Sequence, residues 1–364
     1  MNDRDLAAVL AERTRELCAI DSVIGNEREI ADAVERWAGR AFTPGEIFRL
    51  GNALVCGRMD DPRPTLALFG HLDTVPHPPG GAPPAEQVDG RVRGLGSSDM
   101  KSGLAVMMQL AETLPRQLLA VNLVLAFYDR EEGPYATNGL GPLLAARDDL
   151  SGAALAICLE PSDGAVQMGC CGALHATLRF AGRRAHSARP WQGENAIHKA
   201  GSVLTELLNR ERVAVVHDGL TFYEVMTATL ASAPGAARNV VPDNFEVNLN
   251  YRFAPGKSAE AAQADVRAFV AGRAEVHVTD LAPSGPVALG NPLAARLVKL
   301  SGRAPEPKQA WTDVARLAAA GLDAVNFGPG ETAQAHQADE SVAVAAIVRC
   351  YKVLERLCAE GSPA

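Results

Sequence analysis

The sequence predicts an α/β protein whose mainly parallel sheet is interrupted by a smaller inserted domain, and three observations carry that prediction. Short apolar runs at 66–69, 121–127 and 153–159 are separated by helical periodicity at 102–114 and 140–146. That alternation belongs to a sheet layered with helices. The same grammar returns near the C-terminus, with a helix over 313–320, a strand over 324–327 and a closing helix over 342–357. In between, over 172–280, the pattern becomes strand, helix, strand, strand, helix, strand, the split βαββαβ order of a ferredoxin-like unit. The expected division is therefore 1–171 with 281–364 for the larger domain and 172–280 for the insertion.

Each element has its own signal. Residues 5–17 and 27–40 repeat apolar positions at helical spacing, and 102–114 (SGLAVMMQLAETL) does the same with little polarity. In the insertion, 174–180 alternates as a strand, 194–208 is helical and 221–231 is strand-like. FEVNLNYR, at 245–252, alternates apolar and polar residues cleanly; a helix over 258–271 and a strand over 275–279 close the unit.

Bulk composition narrows the function. The chain has 364 residues, 47% hydrophobic and 21% charged, with 35 basic against 43 acidic side chains and a net charge of −8. With no Lys/Arg block, the footprint of a nucleic-acid or anionic-membrane surface is missing. A few placed arginines still suffice for an anionic substrate. The N-terminal MNDRDLAAVLAERTREL is charged and amphipathic, and no apolar run approaches the ~20 residues of a membrane span. Seven scattered cysteines, among them the adjacent Cys170 and Cys171, read as small buried hydrophobes. A cytoplasmic protein is expected.

LALFGHLDTVP, at 66–76, runs an apolar strand into His71 and Asp73, which project to the same side of an extended chain. Other strand ends carry similar chemistry: Asp129, Glu131 and Glu132 in DREEG, Glu160 in CLEP, and His336 at the end of GPGETAQAH. Loops at the carboxyl ends of parallel strands converge on one crevice. Imidazole and carboxylate are ligand types suited to zinc. GLGSSDMKSG, at 94–103, adds Asp99 just before a helix. It is neither a P-loop, since Met100 stands where glycine must precede the Lys-Ser pair, nor a dinucleotide fingerprint, since Asp99 replaces the third glycine. A strand-end histidine is commonly just hydrogen-bonded, but His71 has five acids where partners are needed. His336 taken alone reads as solvated. Asp129, His77, His175, His198, His217 and His277 keep structural readings.

GHLDTVP, GLGSSDMKSG, DREEG, LEP and the late histidine of GPGETAQAHQADE, in that order, resemble the dinuclear zinc aminoacylase and carboxypeptidase family over nearly the whole chain. GRRAHSARPW, GENAIHK, NYRFAPG and WTDVARLAAAGLDAVNFGPG are similar to the members that remove succinate from N-succinyl-LL-2,6-diaminopimelate in lysine and diaminopimelate biosynthesis. The resemblance implies two zinc ions per subunit, with cobalt a possible substitute. His71 and Glu160 would hold one, Glu132 and His336 the other, and Asp99 would bridge them. Glu131 would be the catalytic base, and Asp73 would accept the second ring N–H of His71. A cis peptide would follow Asp99. The inserted domain would act as lid and homodimer contact, with His186 reaching the partner's site to stabilise an oxyanion. Arg252 and Asn239 resemble substrate contacts, a guanidinium being the natural fork for a carboxylate. Acetylornithine deacetylase or another acyl-amino-acid hydrolase, a dipeptidase or glutamate-type carboxypeptidase, and an inactive zinc-binding scaffold remain as alternatives. Glu131 argues against the scaffold, which has no use for a base.

Overall fold

The computed structural model describes residues 2–361. The chain forms two compact units, one of Met1–Gly169, Val287–Pro307 and Thr312–Ala364, the other of Cys170–Pro286 and Lys308–Trp311.

The first unit is built on an eight-stranded sheet in the order Ile47–Leu50, Ala53–Cys56, Asn122–Tyr128, Thr65–His71, Leu155–Pro161, Ala324–Gly328, Gln167–Met168 and Glu306–Pro307. The four central strands, from Asn122–Tyr128 to Ala324–Gly328, are parallel. Antiparallel pairs flank them on both sides, so the sheet is mixed with a parallel centre. Strand Thr65–His71 is buried along its whole length because both of its faces are covered. Ala67 and Phe69 join the apolar cluster under helices Leu140–Ala146 and Val314–Ala319. Gly70 faces helix Ser102–Thr113, where an added Cβ would come within 2.8 Å of Met100 Cε. Gly103, on that helix, would meet the Leu159 carbonyl oxygen at 2.6 Å. Close backbone approach thus seats the start of this helix against the strands that carry His71 and Glu160. Helices Asp3–Ala19 and Val344–Glu360 pack on it in turn.

The second unit is a five-stranded antiparallel sheet ordered Val213–His217, Leu220–Ser232, Asn244–Phe253, Gly172–Ala181 and Glu275–Ala282. Val247, Leu249, Tyr251 and Phe253 bury one face with Leu174, Leu178 and Phe180 beneath helices Ala196–Leu208 and Ala259–Val270. Asn248, Asn250 and Arg252 alternate onto the other face. Asn195 and Ser258 cap the two helices. Four of these strands and the two helices follow the expected βαββαβ order, and Val213–His217 adds an unexpected edge strand.

The boundaries differ from those read in the sequence by a few residues. Cys170, Cys171 and 281–286 belong to the second unit, because its last strand runs on to Ala282 and Gly285 bridges to Cys170. Lys308–Trp311 joins them: the Gln309 side chain accepts the Tyr223 N–H at 3.0 Å and donates to its carbonyl at 2.5 Å. The seven cysteines are thiols, buried except for half-buried Cys18. Among the described residues, no helix is long and apolar enough to cross a membrane.

Candidate active site

Side chains from the carboxyl ends of the four central strands, and from the turn before helix Ser102–Thr113, meet in the first unit. His71 is the last residue of its strand. Its Nε2 lies 3.2 Å from Asp99 Oδ1 and 3.8 Å from Glu160 Oε1. Glu160 stands near the end of strand Leu155–Pro161. Asp99 occupies the irregular turn Ser97–Lys101, with φ −121° and ψ 92°, and the Asp99–Met100 peptide is cis. Its other oxygen, Oδ2, is 3.5 Å from His336 Nε2. That nitrogen is also 3.2 Å from Glu132 Oε1 and 3.1 Å from Glu132 Oε2. Each Asp99 oxygen therefore faces a different histidine.

Three overlapping sets of donor atoms lie within 4.8 Å of one another: His71, Asp99 and Glu160; Asp99, Glu132 and His336; and His71, Glu131 and Glu132. The first two share Asp99, and their imidazole and carboxylate donors fit a pair of divalent cations.

Asp73 is wholly buried and does more than the sequence indicated. Its Oδ1 accepts the Glu131 N–H at 3.0 Å and its Oδ2 the Glu132 N–H at 2.9 Å. Arg130, at φ +58°, turns the chain so that Glu131 and Glu132 follow in this arrangement. The nearest acceptor for His71 Nδ1 is the main-chain oxygen of Asp73 at 3.1 Å, with the carboxylate at 3.5 Å. The expected His71–Asp73 contact is thus made chiefly through the backbone, because the carboxylate is already engaged by two amides. Either way Nδ1 is the donor, which leaves Nε2 free to bind.

His336 lies on the loop after strand Ala324–Gly328, at φ +64° and with 53% of its side chain exposed. The loop is pinned on both sides of the histidine. Ser98 Oγ donates to the Glu331 carbonyl and accepts its N–H, Arg91 pairs with the Glu331 carboxylate at 2.7 Å, and Gln334 accepts the Ser341 N–H. Glu340, four residues on, is a buried acid that the sequence analysis passed over. Its Oε1 accepts the amides of Ser98 at 2.8 Å and Asp99 at 2.9 Å, and its Oε2 that of Gly96 at 2.7 Å. It is the last residue of the GPGETAQAHQADE segment, but nothing in that segment reveals its role, since its partners lie more than 200 residues away.

The electrostatics are those of a trap for positive charge. Burial works to lower the His71 pKa, but hydrogen bonds with Asp73 and Asp99 outweigh it and raise the pKa well above the ordinary value. Hydrogen bonds to Asp99 and Glu132 raise His336 to about 10. Burial would raise Asp99, yet its contacts with the two histidines hold it below the usual carboxylate range. Burial raises both Glu131, helped by the Glu160 charge, and Glu132, against the pull of His336. The carboxylates that raise the two histidines would equally favour cations placed among them.

Asp129 stays apart from the cluster, taking Asn52 Nδ2 at 3.2 Å, and His77 pairs with Asp21 at 3.0 Å. In the second unit, His186 and Asn239 are neighbours: Ala185–His186 pairs with Val240–Val241, and Ser187 N–H donates to the Asn239 carbonyl at 2.9 Å. Both residues are exposed. The Ala188 N–H donates to His186 Nδ1 at 3.1 Å, so the neutral ring carries its proton on Nε2. Arg252 is half-buried, its Nε donating to Asn250 Oδ1 at 3.2 Å.

The sequence pattern of peptidase family M20/M25/M40 matches residues 67–360. A putative succinyl-diaminopimelate desuccinylase of Mycobacterium tuberculosis is 41% identical over 97% of this chain and 98% of its own length. The succinyl-diaminopimelate desuccinylase of Corynebacterium glutamicum is 35% identical over 95% of each chain. An acetylornithine deacetylase of Myxococcus xanthus is 30% identical over 86% of this chain and 84% of its own. Among solved structures, a dinuclear metal-binding peptidase of the M20 family from Bacillus subtilis superposes with a TM-score of 0.70 at 17% identity, covering 98% of each chain. Similarity that runs from end to end of these relatives, over the very segments that converge in the cluster, means that the chain belongs to peptidase family M20/M25/M40 and is a hydrolase of amide bonds.

Proposed function

We propose that this enzyme hydrolyses N-succinyl-LL-2,6-diaminopimelate to succinate and LL-2,6-diaminopimelate with a pair of bound metal ions. The observation that carries the reading is Asp99, whose two oxygens divide between His71 and His336. His71 and Glu160 would hold one ion and Glu132 and His336 the other, with Asp99 between them. The donor set suits zinc, with cobalt a possible replacement. When bound, such a pair supplies Lewis-acid charge that polarises an amide carbonyl and acidifies a water.

The remaining work falls to the chain's own residues. Glu131, fixed through its amide by Asp73, takes a proton from the attacking water and delivers it to the departing amine nitrogen. Asp73 fixes Glu132 through the same carboxylate, so one buried group sets the directions of base and ligand together. His186, with its proton on Nε2, donates to the developing oxyanion of a partner subunit. Arg252 and Asn239 hold substrate, the guanidinium taking a carboxylate.

Two desuccinylases matched along nearly their full length support the substrate, with identities of 41% and 35% against 30% for the deacetylase. A homodimer through the second unit is supported by strand Leu220–Ser232. Past Glu224, its outer edge pairs with no strand among the described residues, and Leu230 is 73% exposed there. Such an edge is a template for pairing with another chain. Seven cysteines in the thiol form accord with a reducing, cytoplasmic setting. The test is a panel of succinylated and acetylated diaminopimelate and ornithine at equal enzyme concentration, with and without a chelator. Succinylated diaminopimelate should turn over fastest and the chelator should abolish turnover. Preference for an acetylated substrate would replace this assignment with the deacetylase.

A further inference from the structure

We propose that Glu340 is the positioning residue of the metal site: it fixes the main chain of Asp99 and locks the loop carrying His336 to the turn carrying Asp99. The inference rests on the two-metal reading above and adds a residue to it.

Glu340 is 1% exposed. A buried carboxylate needs compensation, and here it comes from main-chain amides rather than from a cation. Gly96, Ser98 and Asp99 aim three N–H groups into a small concavity, and both oxygens of Glu340 fill it. The Asp99 amide is 241 residues away in sequence. The Glu340 main chain adds a fourth contact in the same direction, its carbonyl accepting the Gly94 N–H at 3.1 Å. Ser98 closes the other end of the same contact through Glu331. The two loops are thereby stitched at both ends, with His336 between the stitches.

A bridging carboxylate must present one oxygen to each ion, and small rotations of its backbone move both. Holding the Asp99 amide is therefore a way to hold both coordination bonds. Groups that orient ligands in this manner are worth about 10–100-fold in metal affinity. The Glu340→Gln side chain keeps one acceptor oxygen and sets its amide group against an N–H, whereas Glu340→Ala removes every contact.

The experiment titrates zinc into the metal-free full-length protein against a competing chelator. Wild type should take up two ions, Glu340→Ala should bind them about 10–100-fold more weakly, and Glu340→Gln should fall between. Both variants should keep the wild-type circular dichroism when metal-free. Excess zinc should restore turnover of Glu340→Gln with the substrate KM unchanged, which a general loss of structure would not allow. A folded Glu340→Ala with wild-type zinc affinity overturns the inference while leaving the two-metal reading intact. Wild type that binds no ions overturns that reading, and this inference with it. Should Glu340→Ala fail to fold, amide hydrogen exchange on metal-free wild type decides. The Gly96, Ser98 and Asp99 amides should be protected, and exchange of the Asp99 amide at the free rate overturns the inference.

Discussion

Glu131 and Glu132 are adjacent, share the grip of Asp73 and yet are given different tasks, and that difference is measurable. Glu132 touches His336, whereas Glu131 falls only in the donor set with His71 and Glu132. Glu131→Gln removes a proton acceptor without removing a ligand, so it should keep its metal content and lose about 10²–10⁴-fold in kcat. Elemental analysis and steady-state kinetics on the same preparation check both halves. His336→Ala should do the opposite first: one equivalent of metal is lost, and activity follows. Two metals retained in His336→Ala, or normal kcat in Glu131→Gln, would take that residue out of its role. His71, Asp73 and the glutamate pair were legible in the sequence because each follows an apolar strand directly, where residue type and position speak together. Glu340 was not, for its function is to accept amides from a turn that only folding brings near. The finer role of Asp73 was hidden for the same reason: its partners, Glu131 and Glu132, are 58 and 59 residues away.

At the scale of elements, the buried and strongly periodic segments were readable and the short edges were not. Strands Ile47–Leu50 and Ala53–Cys56 have four residues each, the first interrupted by Arg49, which is too little pattern to separate from a loop. Strand Val213–His217 is largely exposed, so no apolar alternation marks it. The Asp218–Gly219 pair that follows it is a hairpin signal the sequence reading did not use; both residues adopt positive φ in a two-residue turn. Helix Pro292–Ser301 went unread as well, although Asn291 caps it and a proline stands in its first turn. What the sequence could not reveal is how closely helix Ser102–Thr113 approaches the sheet. Gly103 is the test. A methyl there would meet the main-chain oxygen of Leu159 and the tip of Met100, and the oxygen belongs to a central strand that cannot move aside. Gly103→Ala should gain helix propensity and still destabilise, by about 1–3 kcal/mol, because overpacking outweighs propensity. Urea denaturation measures the sign; a stabilised variant would mean that the helix and strand are less tightly seated than the Met100 and Leu159 contacts require.

The whole molecule makes its own demand, because for His186 the proposed chemistry draws on two copies of the chain. His186 is exposed, and its ring is committed by the Ala188 amide to a tautomer that can only donate from Nε2. An exposed donor with a set proton has a purpose if a partner's oxyanion supplies the acceptor. The consequence is complementation between two inactive proteins. Glu131→Gln homodimers lack the base, and His186→Ala homodimers lack the donor. In a hybrid dimer, one site combines the intact Glu131 of one chain with the intact His186 of the other, and the second site has neither. Random exchange of equal amounts makes about half of the dimers hybrid, each with one competent site, so recovery should reach about a quarter of wild-type activity. Differently tagged subunits show whether exchange has occurred. Recovery near that fraction requires His186 to work across the dimer; full exchange without recovery returns it to its own chain, and the oxyanion contact must then be sought within one subunit.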